Sequence, residues 1–244
     1  MRLNQFIALH TGHSRRQADE LIKKGLIEFN GEIGELFLQV APSDKIRIYE
    51  KGQWRSLTTQ ENLKTVLFYK PIFCITSKKD EFGRKTIYTF LPKIYQNLKP
   101  AGRLDYMSEG LLVMSNDGNL LQEISHPSKG TEKVYLVGLK YILKSKEIKM
   151  MGDGMQLEDY KLNPVEIELL QDPEEKKNTK FMSWDYLNLQ PTFFWYKFVL
   201  TEGRNNQIRQ MCEAFGQKVL RLIRISHADY ELTPELHKKR VLEI

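Results

Sequence analysis

The chain has 244 residues, with 37 Lys plus Arg against 31 Asp plus Glu and a net charge of +6. That length suits one large domain or two unequal ones, and the 41% apolar content excludes wholesale disorder. Two distant cysteines, Cys74 and Cys212, exclude a disulfide scaffold, and no CxxC or Cys/His cluster points to zinc.

The opening MRLNQFIALH lacks the long apolar segment of a signal peptide, and no apolar run approaches the roughly 20 residues of a membrane span. A reduced, cytoplasmic chain without a membrane partner is therefore expected. In that opening, Leu3, Phe6 and Ile7 have helical spacing and predict a short helix ending near Thr11-Gly12. A second helix follows Ser14, an N-cap that Gln17 completes as a capping box, and stops at Gly25. Its Ala18, Leu21 and Ile22 share one stripe, while Arg15, Arg16, Lys23 and Lys24 lie mostly elsewhere. Leu26–Phe29 and Ile46–Tyr49 read as strands, with Asn30-Gly31 as a hairpin turn. These elements form a small module over residues 1–49. Residues 50–63 are polar and weakly patterned and read as a linker.

A larger region, 64–244, opens on the strand Lys64–Lys70, closed by Pro71. Further strands are expected at Gly110–Ser115, Lys133–Leu139, Pro164–Leu170, Trp195–Leu200 and Lys218–Ile225. Helices are expected at Ile87–Leu91, Asn119–Ser125, Ser145–Met151 and Asn206–Phe215, and a charged surface loop at Asp172–Lys180. Strands and helices intersperse without a βα repeat, which favours α+β over a doubly wound sheet.

Charge is spread rather than clustered. Residues 1–50 hold seven basic and seven acidic side chains, so any nucleic-acid binding must rest on placed residues. Two stretches carry chemistry. In Ala101–Gly118, AGRLDYMSEGLLVMSNDG, Asp105 sits on a glycine-bounded loop against an apolar strand. By pattern alone such an aspartate usually caps or closes a turn. In Glu202–Gly216, EGRNNQIRQMCEAFG, Ile208, Met211, Cys212 and Phe215 mark a buried helix face, and Arg204 and Arg209 are free for a carboxylate or a phosphate. Taken alone, that stretch reads better as an ordinary amphipathic helix with solvated charges.

Four ordered motifs together carry a resemblance. The Gly102–Asp105 run GRLD, followed by Ser108–Leu112 and Asn116–Gly118, resembles the catalytic motif of the RsuA-type ribosomal-RNA pseudouridine synthases. Lys133–Val137 resembles that family's tyrosine-bearing strand, and Glu202–Arg209 its late arginine motif. Arg2-Leu3, Ser14–Arg16, Leu21-Ile22 and Val40–Asp44 resemble the alpha-L (S-four) RNA-binding domain that precedes the synthase domain. The run from Asn205 to Gly216 leans toward the large-subunit pseudouridine synthase F branch.

The resemblance implies an alpha-L domain followed by a synthase domain with a mixed, mainly antiparallel sheet flanked by helices. It implies isomerisation of a ribosomal-RNA uridine, without cofactor or metal, by a monomer acting on RNA or on a ribosomal particle. Asp105 would be the nucleophile, Arg209 its counter-charge and Tyr135 the residue against the base. Arg15, Arg16, Lys23, Lys24, Arg103, Lys133 and Arg204 would contact RNA. Three departures stand out. Ser108 replaces a frequent Thr and keeps the hydroxyl, whereas Asn206 and Gln210 replace frequent arginines and bear on substrate rather than chemistry. The rival expectations are a catalytically silent RNA-binding or ribosome-assembly factor, a synthase acting on tRNA, and a metal-dependent nuclease built on Asp105, Asp117 and Asp153.

Overall fold

A computed structural model describes residues 1–57, 63–157, 160–170 and 182–244. The chain divides into two compact units, Met1–Leu63 and Lys64–Ile244. The charged run expected as a loop at Asp172–Lys180 lies outside the described residues.

The first unit holds helices α1 (Leu3–His10) and α2 (Arg15–Lys23), then strands β1 (Ile27–Phe29), β2 (Glu32–Ile33), β3 (Ile46–Glu50) and β4 (Gln53–Leu57). The sheet order is β2-β1-β3-β4, antiparallel throughout. The capping box of α2 forms: the Ser14 hydroxyl accepts from Gln17 N, and the Gln17 side chain accepts from Ser14 N at 2.7 Å. Leu3, Phe6, Ile7, Ala18 and Ile22 pack with Ile27, Ile46, Ile48 and Leu57 into one core.

Strand β4 corrects the linker expected over 50–63. Lys51 and Gly52 both take positive φ, +52° and +83°, which gives the two-residue turn that matches the twist of a hairpin. Glu50 then pairs with Gln53 and Ile46 with Leu57. Leu57 is the strand's one buried side chain, so the apolar signal was weak. Residues 58–62 of that stretch lie outside the described residues.

The second unit runs β5 (Thr65–Lys70), β6 (Lys99–Pro100), β7 (Glu109–Ser115), α3 (Gly118–Ser125), β8 (Lys133–Leu139), α4 (Ser145–Gly152), β9 (Glu166–Leu169), β10 (Phe194–Leu200), α5 (Gln207–Glu213), β11 (Val219–His227), β12 (Tyr230–Glu231), α6 (Pro234–Lys239) and β13 (Val241–Glu243). The expected helix at Ile87–Leu91 is a 3-10 turn, Ile87–Phe90. Seven strands follow the order β13-β5-β7-β11-β8-β10-β9, with β6 on β7 and β12 on β11. All described pairings are antiparallel except β7 with β11.

The sheet's centre is apolar on both faces. From β7, Leu111 and Val113 enter one core with Leu136, Trp195 and Ile223, while Leu112 and Met114 enter another with Phe68 and Cys74. The second face also carries a third core, of Val137, Tyr196, Phe198, Leu222 and the buried residues of α5. The parallel pair needs a close approach at Gly110, whose φ is +111° and where a Cβ would overlap the backbone of Arg224. Only glycine meets both conditions.

The loop between β6 and β7 is held from beneath by Lys70. This lysine is fully buried at the end of β5, and its Nζ donates to the carbonyls of Pro71 (3.1 Å), Asp105 (2.9 Å) and Ser108 (2.7 Å). Replacing it with Lys70→Met leaves those buried acceptors without their donor, which costs about 2–4 kcal/mol. Chemical denaturation is expected to show a lowered midpoint with an unchanged slope; an unchanged midpoint would refute the cage's role.

Candidate active site

The loop that carries Asp105 is fixed at several points. Leu104 N donates to the Thr76 hydroxyl at 3.2 Å, and that hydroxyl donates back to Leu104 O at 2.8 Å. Ser108 N donates to Asp105 O at 3.1 Å, closing a turn. Lys70 holds both ends of that turn. The Asp105 backbone is therefore set, and its half-buried side chain faces a cavity of about 370 Å³. That volume accommodates a nucleoside.

Strands β8 and β11 form the cavity's back wall. Tyr135 stands directly opposite Arg224 in the antiparallel register, and Val137 opposite Leu222, so Tyr135, Leu222 and Arg224 share one face. Tyr135 is half-buried, with its ring against the core that contains Phe198 and Leu222. One tyrosine thus packs on the core and lines the cavity. Arg224 is 1% exposed; its Nε donates to Leu111 O at 2.8 Å and its Nη2 is buried without a partner. The segment Glu202–Ile208 forms the opposite lip.

The structure brings Asp105, Tyr135, Arg103, Lys133 and Arg204 to this one cavity. Lys133 is half-buried and donates to Thr131 O at 2.8 Å, and burial together with Arg224 pushes its pKa down. Arg103 is exposed on the wall. Arg204 is exposed, with its guanidinium 4.4 Å from the Tyr160 ring and its Nε 3.3 Å from Glu202. Arg209 lies behind the Asp105 loop rather than on the lining. Its guanidinium donates to Val219 O and Met107 O, both at 2.9 Å. Arg15, Arg16, Lys23 and Lys24 are exposed on α2 of the first unit.

Burial pushes the Asp105 carboxyl above the ordinary aspartate range, and Arg209, then Arg103, Lys70 and Arg224, pull it back. Among the described residues the carboxylate itself makes no hydrogen bond and no close ion pair. Four cations thus favour its ionised form through space while its oxygens stay uncommitted. The other two acids of the nuclease expectation sit elsewhere: Asp117 caps α3 and Asp153 ends α4. No cluster of three potential metal ligands occurs among the described residues.

Lys70 and Arg224 escaped sequence reading. Each is a cation within a strand whose neighbours are apolar, Val66–Tyr69 and Leu222–Ile225. A charge in a strand buried on both faces was the available signal.

Residues 64–214, more than half of the chain, match the family model described as RNA pseudouridylate synthase. The ribosomal large subunit pseudouridine synthase B of Bacillus subtilis (strain 168) is 34% identical over 229 residues, covering 93% of this chain and 85% of that protein. The protein of the same name from Escherichia coli (strain K12) is 32% identical over 234 residues, covering 93% of this chain and 74% of that one. A crystal structure of a pseudouridylate synthase aligns with a TM-score of 0.65 at 28% identity, covering 100% of this chain and 96% of that chain. These relatives carry the name B and lend no support to the F branch. With the family model spanning most of the second unit, and relatives above 30% identity along nearly its whole length, the chain belongs to the RNA pseudouridylate synthase family.

Proposed function

We propose that this protein isomerises a uridine of large-subunit ribosomal RNA to pseudouridine, with Asp105 as the nucleophile. The carrying observation is the Asp105 carboxylate, half-buried at a nucleoside-sized cavity with cations around it and no bond of its own. The names of the relatives support the large-subunit substrate.

The reaction breaks the N-glycosidic bond, turns the base and rejoins it through carbon, with no net redox change. A nucleophilic carboxylate must be ionised yet partly desolvated, and those demands oppose each other. Here Arg209 is the largest of the charges that oppose the burial penalty, and it does so without occupying the oxygens. The Tyr135 ring can stack on the base, and its phenol can carry a proton during the rearrangement. A uridine inside a duplex cannot bring its glycosidic carbon to a half-buried carboxylate, so it must leave any helical stack to enter. Arg103, exposed beside Asp105, is placed to fill the vacated stack or hold a flanking phosphate.

We read the first unit as the alpha-L RNA-binding domain, with Arg15, Arg16, Lys23 and Lys24 contacting phosphates. Support comes from where the arginines stand. They occupy the first turn of α2, where the helix dipole disfavours cations, so helix stability does not account for them. Exposed cations of this kind read RNA shape through its backbone.

Uracil-5-tritiated large-subunit RNA, naked or within subunit particles, tests the proposal. The wild-type chain is expected to release label and Asp105→Asn to release none. No wild-type release from either form would leave the silent RNA-binding factor standing, and release from tRNA alone would move the substrate. Stability carries an independent sign. The folded pKa of Asp105 is raised, so its favourable contribution exists only at low pH and is lost as pH rises through that value. Asp105→Asn is therefore expected to melt no lower than wild type at neutral pH.

The same shift sets the acid limb of the pH–rate profile above the ordinary carboxylate range. Arg209→Gln removes the largest opposing charge and is expected to move that limb to higher pH, with Arg209→Lys moving it less. A limb that stays in place would remove Arg209 from this role. For the first unit, Arg15→Gln with Arg16→Gln is expected to raise KM on structured RNA several-fold at unchanged kcat. The salt dependence should flatten by about one unit per charge lost. An unchanged KM would refute the positioning role.

A further inference from the structure

A second cavity, about 460 Å³, adjoins the first and shares Arg103, Leu104, Asp105, Asn205 and Asn206 with it. Its outer wall is the loop between Thr76 and Thr86. That loop is rigid at its base: Ile75 N donates to Lys85 O and Ile87 N to Ile75 O, both at 3.0 Å. Thr76 ties it to Leu104, one residue from Asp105. It is rigid at its tip as well. The Asp80 carboxylate accepts from Phe82 N (3.1 Å), Arg84 N (2.6 Å) and the Arg84 guanidinium (2.7 Å), and Asp80 is only 5% exposed.

This scaffold presents Phe82, which is 81% exposed and covered by none of the hydrophobic cores. The Arg84 guanidinium lies 5.2 Å from its ring. Lys79 shares the cavity wall with it, and Lys78 and Lys85 are exposed on the same loop, over the Tyr88 and Phe90 rings, against one exposed acid, Glu81, since Asp80 is paired. An exposed phenyl ring adds nothing to folding, yet hydrogen bonds among eight residues hold the loop that carries it. Stacked guanidinium, open ring face and the loop's lysines match a nucleotide: a base for the ring and phosphates for the cations. An apolar protein surface would find one ring on a charged loop.

We infer that Phe82 is a stacking platform for the base of a nucleotide next to the target uridine, and so helps to select the site modified. This rests on the proposed RNA reaction: the two cavities meet at Arg103, Leu104 and Asp105, so a nucleotide flanking one held at Asp105 has the second cavity open to it. Phe82 touches no reacting atom; it positions the strand.

Two measurements test it. In the tritium-release assay on large-subunit RNA, Phe82→Ala and Phe82→Leu are each expected to raise KM about tenfold with kcat within about twofold, while Phe82→Trp stays near wild type. Thermal melting should be unchanged in all three, since the ring is exposed. In the second arm, a single-stranded RNA 12-mer carries one uridine flanked by 2-aminopurine. Binding to Asp105→Asn is expected to quench the fluorophore, Phe82→Ala added to it to abolish the quench, and Phe82→Trp to retain it. A wild-type KM in Phe82→Ala, rescue by Phe82→Leu, or quenching that survives Phe82→Ala overturns the inference. If the wild type releases no label, the reaction reading fails by itself, and the 12-mer still decides whether Phe82 stacks on a base.

Discussion

One buried ammonium sets the geometry on which this site depends. Lys70 ends a strand that is otherwise hydrophobic, and removing its charge from water is costly, which the downward push on its pKa records. The cost is offset because three carbonyls converge on Nζ, and two of them, Asp105 O and Ser108 O, belong to the Asp105 loop. Ala101 and Leu104 anchor the start of that loop by burial, but from Asp105 to Ser108 it buries no apolar side chain, since Tyr106 and Met107 are exposed. The lysine anchors that stretch from within the sheet. The same cation lies close enough to the Asp105 carboxyl to favour its charged form. One side chain thus positions the loop and also adds, behind Arg209 and Arg103, to the field at Asp105.

The electrostatics of the site depend on cations that act without touching. Had Arg209 bonded directly to Asp105, the carboxylate would be ionised but occupied, and attack would first require breaking an ion pair. Instead Arg209 spends its hydrogen bonds on Val219 O and Met107 O. That choice locks the start of α5 against β11 and the Asp105 loop, and leaves the carboxylate exposed to the field alone. Charge-charge attraction falls slowly with distance in a poorly solvated pocket, whereas a hydrogen bond does not reach across it. Several such cations oppose the effect of burial, which remains the larger.

What was legible in the sequence is what local patterns encode. Strand β8 was read to the residue, Lys133–Leu139, because alternation and β-branched content need no partner to be seen. Helix α2 followed from its capping box. Strand β4 was missed because its pairing is carried by a Lys-Gly turn and one buried leucine. Helix α6 was passed over although Thr233 and Pro234 form a local start signal, with the Thr233 hydroxyl accepting from Leu236 N. Lys70 and Arg224 are a different case. Their roles come from contacts 35 to 113 residues away in sequence, such as Arg224 with Leu111 and Lys70 with Asp105, and no window on the chain contains both partners. For Asp105 itself the pattern alone favoured a turn-closing residue. Only the conjunction of four motifs reversed that, because spacing reports order along the chain and not convergence in space.

The departures from the family pattern acquire a physical meaning at the cavity's lip. Asn206 takes φ +51°, a left-handed conformation that asparagine tolerates better than arginine does. Gln210 is committed locally, accepting from the Tyr160 hydroxyl at 3.2 Å and donating to Asn205 O at 2.9 Å. Two positions that could have reached for phosphate therefore shape the start of α5 instead. Arg204 remains there, but stacked on Tyr160 and paired with Glu202. Of the four cations lining the cavity, Lys133 and Arg224 are held inward by backbone carbonyls. The exposed positive charge facing incoming RNA is thereby displaced from the α5 lip toward Arg103 and the lysines of the Thr76–Thr86 loop. Asparagine and glutamine at positions 206 and 210 thus change the charge at the cavity's lip and leave the Asp105 loop, held by Lys70 and Thr76, as it is.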